Sequence, residues 1–282
     1  MHFDYTTVGH VTIDLLDDGS RRAGGTAFYS ALQAARLGLR TLIVTQGLPA
    51  EIEQLLEPYR GELGLRILPA PCTTTLLTAG SGSDRAQRVL AWAGPIAEEL
   101  ALDTDILHLA PIARETPSRW RGPAAFVGLT PQGLVRQWDH SAGEITHFQP
   151  DAAAVALAEH CHALVVNQAE RASCAELIGA AGAAGALVAV TDGDAPVTIL
   201  APAVHRLQVP VLHEPVDDLG AGDVFAAAFF VCVSEGRSAL DAARFANAAA
   251  AVRMHGAGAD SIGERGAIKA RLHSTAGAGG WL

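Results

Sequence analysis

The sequence predicts an α/β fold in which a mostly parallel central sheet is covered by helices on both faces. Two observations carry this. Short β-prone runs alternate with helical runs along most of the 282 residues, the pattern of a parallel sheet with crossover helices. The C-terminal part then carries two apolar helical runs, 222–234 and 239–254, which need a sheet face to bury against. No linker divides the chain, so residues 1–282 are expected as one domain.

The elements follow in order. Residues 5–15 read as one strand, with Val8, Val11, Ile13 and Leu15 β-prone. Asp17, Asp18, Gly19 and Ser20 form a turn signal, and 20–23 return as a short strand. Gly24 and Gly25 open a helix over 26–37, stopped by Gly38. A strand over 40–45 precedes a short helix that starts at Pro49 and ends at Pro58. Strands are expected over 65–68, 73–78 and 88–93, with 80–84 as the turn between the last two, and again over 106–109 and 125–129. A helix over 151–160, a buried strand over 163–166, a helix over 171–184 and strands over 187–190, 197–200 and 204–209 lead to the two apolar helices. The glycine-rich end, 274–282, is expected as a frayed tail.

Composition narrows the function. Net charge is −10 with no basic block, and aromatic residues are 5%, so nucleic acid is not an expected partner. The apolar runs are shorter than a bilayer span and are broken by glycine or charge. The N-terminus has no basic region followed by a long apolar run, so no signal peptide is read. Four cysteines lie without Cys-x-x-Cys spacing, which suits a reducing, cytoplasmic setting. Lys269 is the one lysine. A Gly-x-x-x-x-Gly-Lys phosphate loop is therefore excluded.

Residues 216–230 carry the chemistry. An acidic, glycine-rich half runs into an apolar helix. The first amides of a helix lack intrahelical partners and sit at the positive end of its dipole. Without side chains at Gly220 and Gly222, an anion can approach that backbone closely. Asp223 beside an anion pocket makes sense as a base that takes a proton from an attacking hydroxyl, which is phosphoryl transfer. The same residues also permit an ordinary tight turn with an acidic first helical turn.

The run Asp217-Asp218-Leu219-Gly220-Ala221-Gly222-Asp223-Val224-Phe225 resembles the C-terminal signature of the ribokinase-like, phosphofructokinase-B type carbohydrate kinases. The resemblance implies a ribokinase-like three-layer sandwich with a minimal β-hairpin lid near 11–24. It implies that the amides of Gly220, Ala221 and Gly222 form an anion hole and that Asp223 is the catalytic base. Asp218 stands where the family usually has threonine.

The resemblance extends along the chain. Asp14, at the end of the first strand, offers a carboxylate that accepts two hydroxyl hydrogen bonds, and the family's residue there holds substrate hydroxyls; a solvated strand end is the alternative. Gly24 and Gly25 are similar to the family's N-terminal glycine pair, which admits substrate to a helix start. Tyr29 stands where many members have asparagine and is expected against substrate or in the core. The segment Thr130-Pro131-Gln132-Gly133-Leu134-Val135-Arg136 resembles an inositol kinase branch, with Thr130 for its aspartate. Gln132 and Arg136 then join the substrate side. Arg136, a planar fork, suits a phosphate, and a surface arginine is the alternative. Asn167 and Glu170 match the motif that places magnesium, often through water; helix capping is the rival reading. Thr191 and Gly193 lie where the family meets nucleotide phosphates, though Asp-Gly is also a hairpin turn. Asn247 falls near the expected adenine, and Gly256 in the closing loop, where some members hold potassium with Asp217 as the first candidate ligand. ATP, Mg2+ and K+ are thus the implied cofactors.

The expected activity is ATP-dependent phosphorylation of a hydroxyl on a small polyol or sugar, inositol first and nucleosides or pentoses next, by a monomer or homodimer. A non-catalytic sugar- or nucleotide-binding protein on the same fold is the other class.

Overall fold

The computed structural model describes residues 1–82, 85–97, 99–117, 119–139, 143–200, 204–209, 212 and 215–277. The chain runs through β1 (Phe3–Val8), β2 (Thr12–Leu16), β3 (Arg21–Gly24), α1 (Thr26–Arg36), β4 (Thr41–Gly47), α2 (Pro49–Leu55), β5 (Leu63–Pro69), β6 (Thr75–Ala79) and β7 (Ala86–Ala91). It continues through β8 (Leu100–Ala101), β9 (Thr104–Leu109), β10 (Trp120–Arg121), β11 (Ala124–Leu129), β12 (Arg136–Trp138), β13 (Ile145–His147), α3 (Ala152–Glu159), β14 (Ala163–Asn167) and α4 (Ala175–Ala183). It ends with β15 (Leu187–Asp192), β16 (Ala195–Leu200), β17 (Val204–Leu207), α5 (Ala221–Ser234), α6 (Ala239–Arg253) and α7 (Arg265–Gly277).

Nine strands form the central sheet, in the order β17-β16-β15-β14-β11-β9-β1-β4-β5. The pairs from β15 to β5 are parallel, and β16 and β17 add an antiparallel edge. Successive side chains alternate between the two faces of the sheet, as strand geometry requires. Tyr5, Ile43, Ile106 and Val165 face one core, with α1, α5 and α6. Val44, Leu107, Leu164 and Val166 face the other, with α3 and α4. Close approach of α5 to the sheet depends on Gly128, where a Cβ would lie 2.4 Å from the Phe230 ring. The chain is therefore an α/β sandwich of three layers. Among the described residues no helix is long and apolar enough to cross a membrane.

The strand expected over 5–15 is two strands in different sheets. The break falls at Gly9, where a Cβ would lie 2.2 Å from the Ala110 carbonyl oxygen. The next amides leave the ladder: His10 donates to Glu115 Oε1 at 2.8 Å and Val11 to Thr45 Oγ1 at 2.8 Å. Glu115 is buried and also accepts from the amides of Ile112 and Ala113. A period-two apolar pattern runs through such a switch unchanged, so periodicity alone does not show it.

The lid is also larger than the expected hairpin. β2 pairs with β3 on one side and, in parallel, with β6 on the other, and β7 completes a four-stranded sheet. An isolated hairpin is marginal in water. Here Leu76 and Val89 of the added strands bury against Ile112 and Ala113, with Trp92 and Trp138 in edge contact at 5.5 Å beside them. At the C-terminus α7 runs to Gly277, where the sequence suggested fraying from 274; its Ile268 is buried in the core. Residues 278–282 of that expected tail, and Ser83 and Asp84 of the expected turn, lie outside the described residues.

Candidate active site

Parallel strands end on one edge, and loops from that edge build the site. β1 and β9 are neighbours, and the chain leaves them toward opposite halves of the sheet, which makes their junction the switch point where α/β sheets bind ligands. The starts of α1 and α5 meet there. Gly25, the residue before α1, has φ +90° and its Cβ position lies 2.3 Å from the His10 carbonyl oxygen.

Gly220 caps α5 in the left-handed region, φ 80°, and a Cβ there would lie 2.4 Å from the Tyr29 ring. Only glycine meets both demands. The turn is shaped from below by Asp217, whose Oδ1 accepts from the Leu219 amide at 2.9 Å. The Ala221 amide closes the turn on the Asp218 carbonyl oxygen at 3.1 Å, so it is committed there rather than offered to an anion as expected. Gly222 and Asp223 supply the next first-turn amides, which the helix itself leaves unpaired. Gly222 is exposed, with open space where a Cβ would stand.

Asp223 is tied to α1 twice. Its carboxylate is hydrogen-bonded to the Thr26 hydroxyl, and its carbonyl oxygen accepts from Ser30 Oγ at 3.1 Å. Burial pushes its carboxyl up to about 7, against the pull of Thr26 and Arg136 and helped by the charges of Glu170 and Asp14. No ion pair engages it among the described residues. A carboxylate poised near neutrality is suited to accept a proton.

Asp14 is not a solvated strand end. It is 2% exposed, and burial raises its carboxyl to about 6, opposed by the Thr12 hydroxyl and by Arg85 and Arg136. Thr12 Oγ1 donates to Asp14 Oδ1 at 2.7 Å. The Gly24 backbone lies against this carboxylate: a Cβ on Gly24 would be 2.1 Å from Asp14 Oδ2. Gly24, Gly25 and Asp14 are thus brought together. Tyr29 is not beside them on an open surface. It is 2% exposed, packed beneath Gly220 and against Phe28 and Arg253. Tyr29 thus lies in the core beneath the turn.

Gln132 Nε2 donates to Thr26 Oγ1 at 2.6 Å, and Gln132 Oε1 accepts from Arg136 Nη2 at 3.1 Å. Arg136 is buried rather than a surface arginine; it donates to the Ile112 carbonyl oxygen at 3.3 Å and stands 3.8 Å from Glu170 Oε1. Its buried Nε has no partner among the described residues, which leaves a charged donor for a ligand oxygen.

Asn167 ends β14 and its Oδ1 accepts from the Ala169 amide at 2.8 Å, so capping occupies one of its lone pairs. Glu170 is buried, and burial raises its carboxyl while Arg136 and His147 oppose the rise. The oxygen-only donor set of Asn167 and Glu170 fits a magnesium ion that keeps most of its waters. Thr191 and Gly193 stand at the adjacent end of β15, with Gly193 at φ +57°. Asn247 is buried on α6 with Nδ2 unpartnered among the described residues, and Gly256 follows α6 against Ser261.

Asp217 does not fit the expected potassium role. Its Oδ2 accepts from Arg253 Nη2 at 3.0 Å, Arg22 Nη1 at 3.2 Å and the Gly258 amide at 2.9 Å. Two guanidinium charges on one carboxylate oxygen repel a further cation. Sequence reasoning passed over Thr26, Arg22, Arg85 and Arg253. Thr26 lies inside the glycine motif, but nothing in its spacing shows which partner its hydroxyl meets.

Residues 130–264 match the model of the pfkB family of carbohydrate kinases. The chain is 28% identical over 257 residues to a cytidine kinase of Thermococcus kodakarensis, covering 83% of this chain and 90% of that protein. A nucleoside kinase of Burkholderia thailandensis, solved in complex with inosine, superposes with a TM-score of 0.76 at 16% identity, over 97% of this chain and 98% of the other. A pyrophosphate-dependent kinase of the ribokinase family, solved with a pyrophosphate analogue and myo-inositol, superposes with a TM-score of 0.72 at 20% identity, over 94% and 99%. The signature turn, the sheet order and the match over residues 130–264 agree in their likeness to the ribokinase-like, pfkB-type kinases.

Proposed function

We propose that this protein phosphorylates a hydroxyl of a small polyhydroxylated acceptor, with ATP as donor and magnesium as cofactor. The observation that carries this is Asp223. A carboxyl raised to about 7 by burial sits in the first turn of α5, where unpaired amides favour an anion. ATP would supply the phosphoryl group, and Asn167 and Glu170 would hold a magnesium ion whose charge would offset that of the phosphates. Asp14 binds acceptor hydroxyls and orients one toward Asp223. Asp223 takes the proton as the acceptor oxygen bonds to phosphorus and the bond to the leaving phosphate breaks. The Gly222 and Asp223 amides hold the charge that develops on the moving group, and Arg136 Nε offers a further donor. Thr191, Gly193, Asn247 and Gly256 are proposed along the nucleotide.

Inositol remains the first acceptor suggested by the Gln132 and Arg136 segment. A nucleoside is the second reading, favoured by the cytidine kinase relative and the inosine-bound neighbour. The test is a phosphate-transfer screen over inositols, nucleosides, pentoses and hexoses with ATP and with pyrophosphate. Turnover with one acceptor names the substrate. Tight acceptor binding with no transfer from either donor supports the non-catalytic alternative instead.

A further inference from the structure

Thr26 and Gln132 have no role in that chemistry so far, yet they connect its two charged ends. Arg136 Nη2 donates to Gln132 Oε1 at 3.1 Å, Gln132 Nε2 donates to Thr26 Oγ1 at 2.6 Å, and Thr26 is hydrogen-bonded to the Asp223 carboxylate. The direction of this chain is not arbitrary. A guanidinium only donates, so the Gln132 oxygen must face Arg136 and its amide nitrogen must face Thr26. The Thr26 oxygen then already accepts one hydrogen bond, and its single proton is left for Asp223. Thr26 is fully buried and Gln132 half-buried.

We infer that Thr26 and Gln132 are positioning residues: a one-way donor chain that starts at Arg136 fixes the rotamer of Asp223 and keeps its outer oxygen available to the acceptor hydroxyl. The inference rests on the reading of Asp223 as the base. It changes what is expected of Gln132, which serves the base through Thr26 instead of touching substrate. It also couples the arginine that meets the phosphoryl group to the group that takes the proton. The charged and titratable groups around Asp223 are Asp14 on β2, Arg136 on β12, Glu170 after β14 and Tyr5 on β1. Asp14 and Glu170 raise its carboxyl, and Thr26 and Arg136 oppose them.

The experiment compares wild type, Thr26→Val, Thr26→Ser and Gln132→Met, reading both the Asp223 carboxyl by carbon-13 NMR titration and steady-state kinetics on the full chain. The Asp223 signal is assigned by its loss in Asp223→Asn. Thr26→Val is expected to raise the Asp223 midpoint by about one unit, because a donor to the ionised form is gone. It is expected to lower kcat roughly tenfold to hundredfold, the worth of a hydrogen bond to a charged group, with acceptor KM within about threefold. Thr26→Ser should restore both. Gln132→Met on top of Thr26→Val should add little, since Gln132 acts through Thr26. Should valine not be accommodated, Thr26→Ala makes the same comparison. An unchanged midpoint in Thr26→Val, or additive effects in the double variant, overturns the donor chain whatever the activity. Normal turnover by Asp223→Asn overturns the base reading, and the titration then still decides the chain.

Discussion

Asp218 bridges the Gly220 turn to the β2–β3–β6–β7 sheet, the expected lid, through Arg85. Its Oδ1 accepts from the Arg85 guanidinium and its Oδ2 from the Gly82 amide at 2.9 Å. Next to it, Asp217 takes Arg22 of β3 at 3.2 Å. Consecutive aspartates before Gly220 therefore hold the lid sheet at its outer strand β3 and at the segment that leads into β7. The unexpected Asp218 of the signature has its partner on the lid, and its charge is not left facing the donor phosphates unpaired.

This clasp sets the first prediction. Asp218→Asn is expected to loosen the lid over the acceptor and raise acceptor KM about threefold to tenfold, with little change in kcat. Because the pair is partly exposed, wild-type KM should drift toward the variant value as salt rises. A KM series in increasing sodium chloride checks both statements.

Asp223→Asn is expected to lower turnover by roughly 10²–10⁴-fold while nucleotide still binds. Isothermal titration alongside the kinetic assay separates the two effects.

The same carboxyl shapes stability. Its value is raised from 3.8 to about 7, so the native state holds this proton more tightly than the unfolded chain. The stability it contributes is full below about 4 and is lost as pH climbs toward 7. Wild type should therefore be less stable at pH 8 than at pH 5 to the extent this group decides, and Asp223→Asn should reduce that slope. Urea unfolding at the two pH values measures it. Activity should run the other way. With Asp14 at about 6 and Asp223 at about 7, both acting as carboxylates, kcat/KM is expected to rise from pH 5 to pH 8.

Gly220→Ala meets two obstacles, the φ of 80° and the Tyr29 ring 2.4 Å from the new Cβ. A loss of about 1–3 kcal/mol is expected, with activity falling because the first-turn amides move. Shrinking Tyr29 to alanine relieves the ring but not the backbone, so the double variant should recover only part. Thermal melts and turnover of both variants check this.

Asp217→Asn leaves Arg253, whose side chain is fully buried, without its charge partner. Breaking a buried pair costs about 3–5 kcal/mol, which denaturant unfolding would show. Asn keeps some hydrogen bonds, so the lower end is expected.

Much of the fold was legible in the chain itself. The alternation of β-prone and helical runs is local, and local pattern is what specifies a parallel sandwich. The glycines at 24, 25 and 220 with Asp223 were equally legible, because a bare backbone beside a carboxylate is a chemical statement within a few residues. Other features depend on residues far apart in sequence. The break at Gly9 needs Ala110 and Glu115. The full lid needs β6 and β7 against β2, Tyr29 becomes a support only under Gly220, and Asp217 is claimed by Arg22 and Arg253. Sequence by itself determined which groups are present to do chemistry. Tertiary structure decided which of them are free to do it, since a donor or charge already satisfied by a distant partner is no longer available to a ligand.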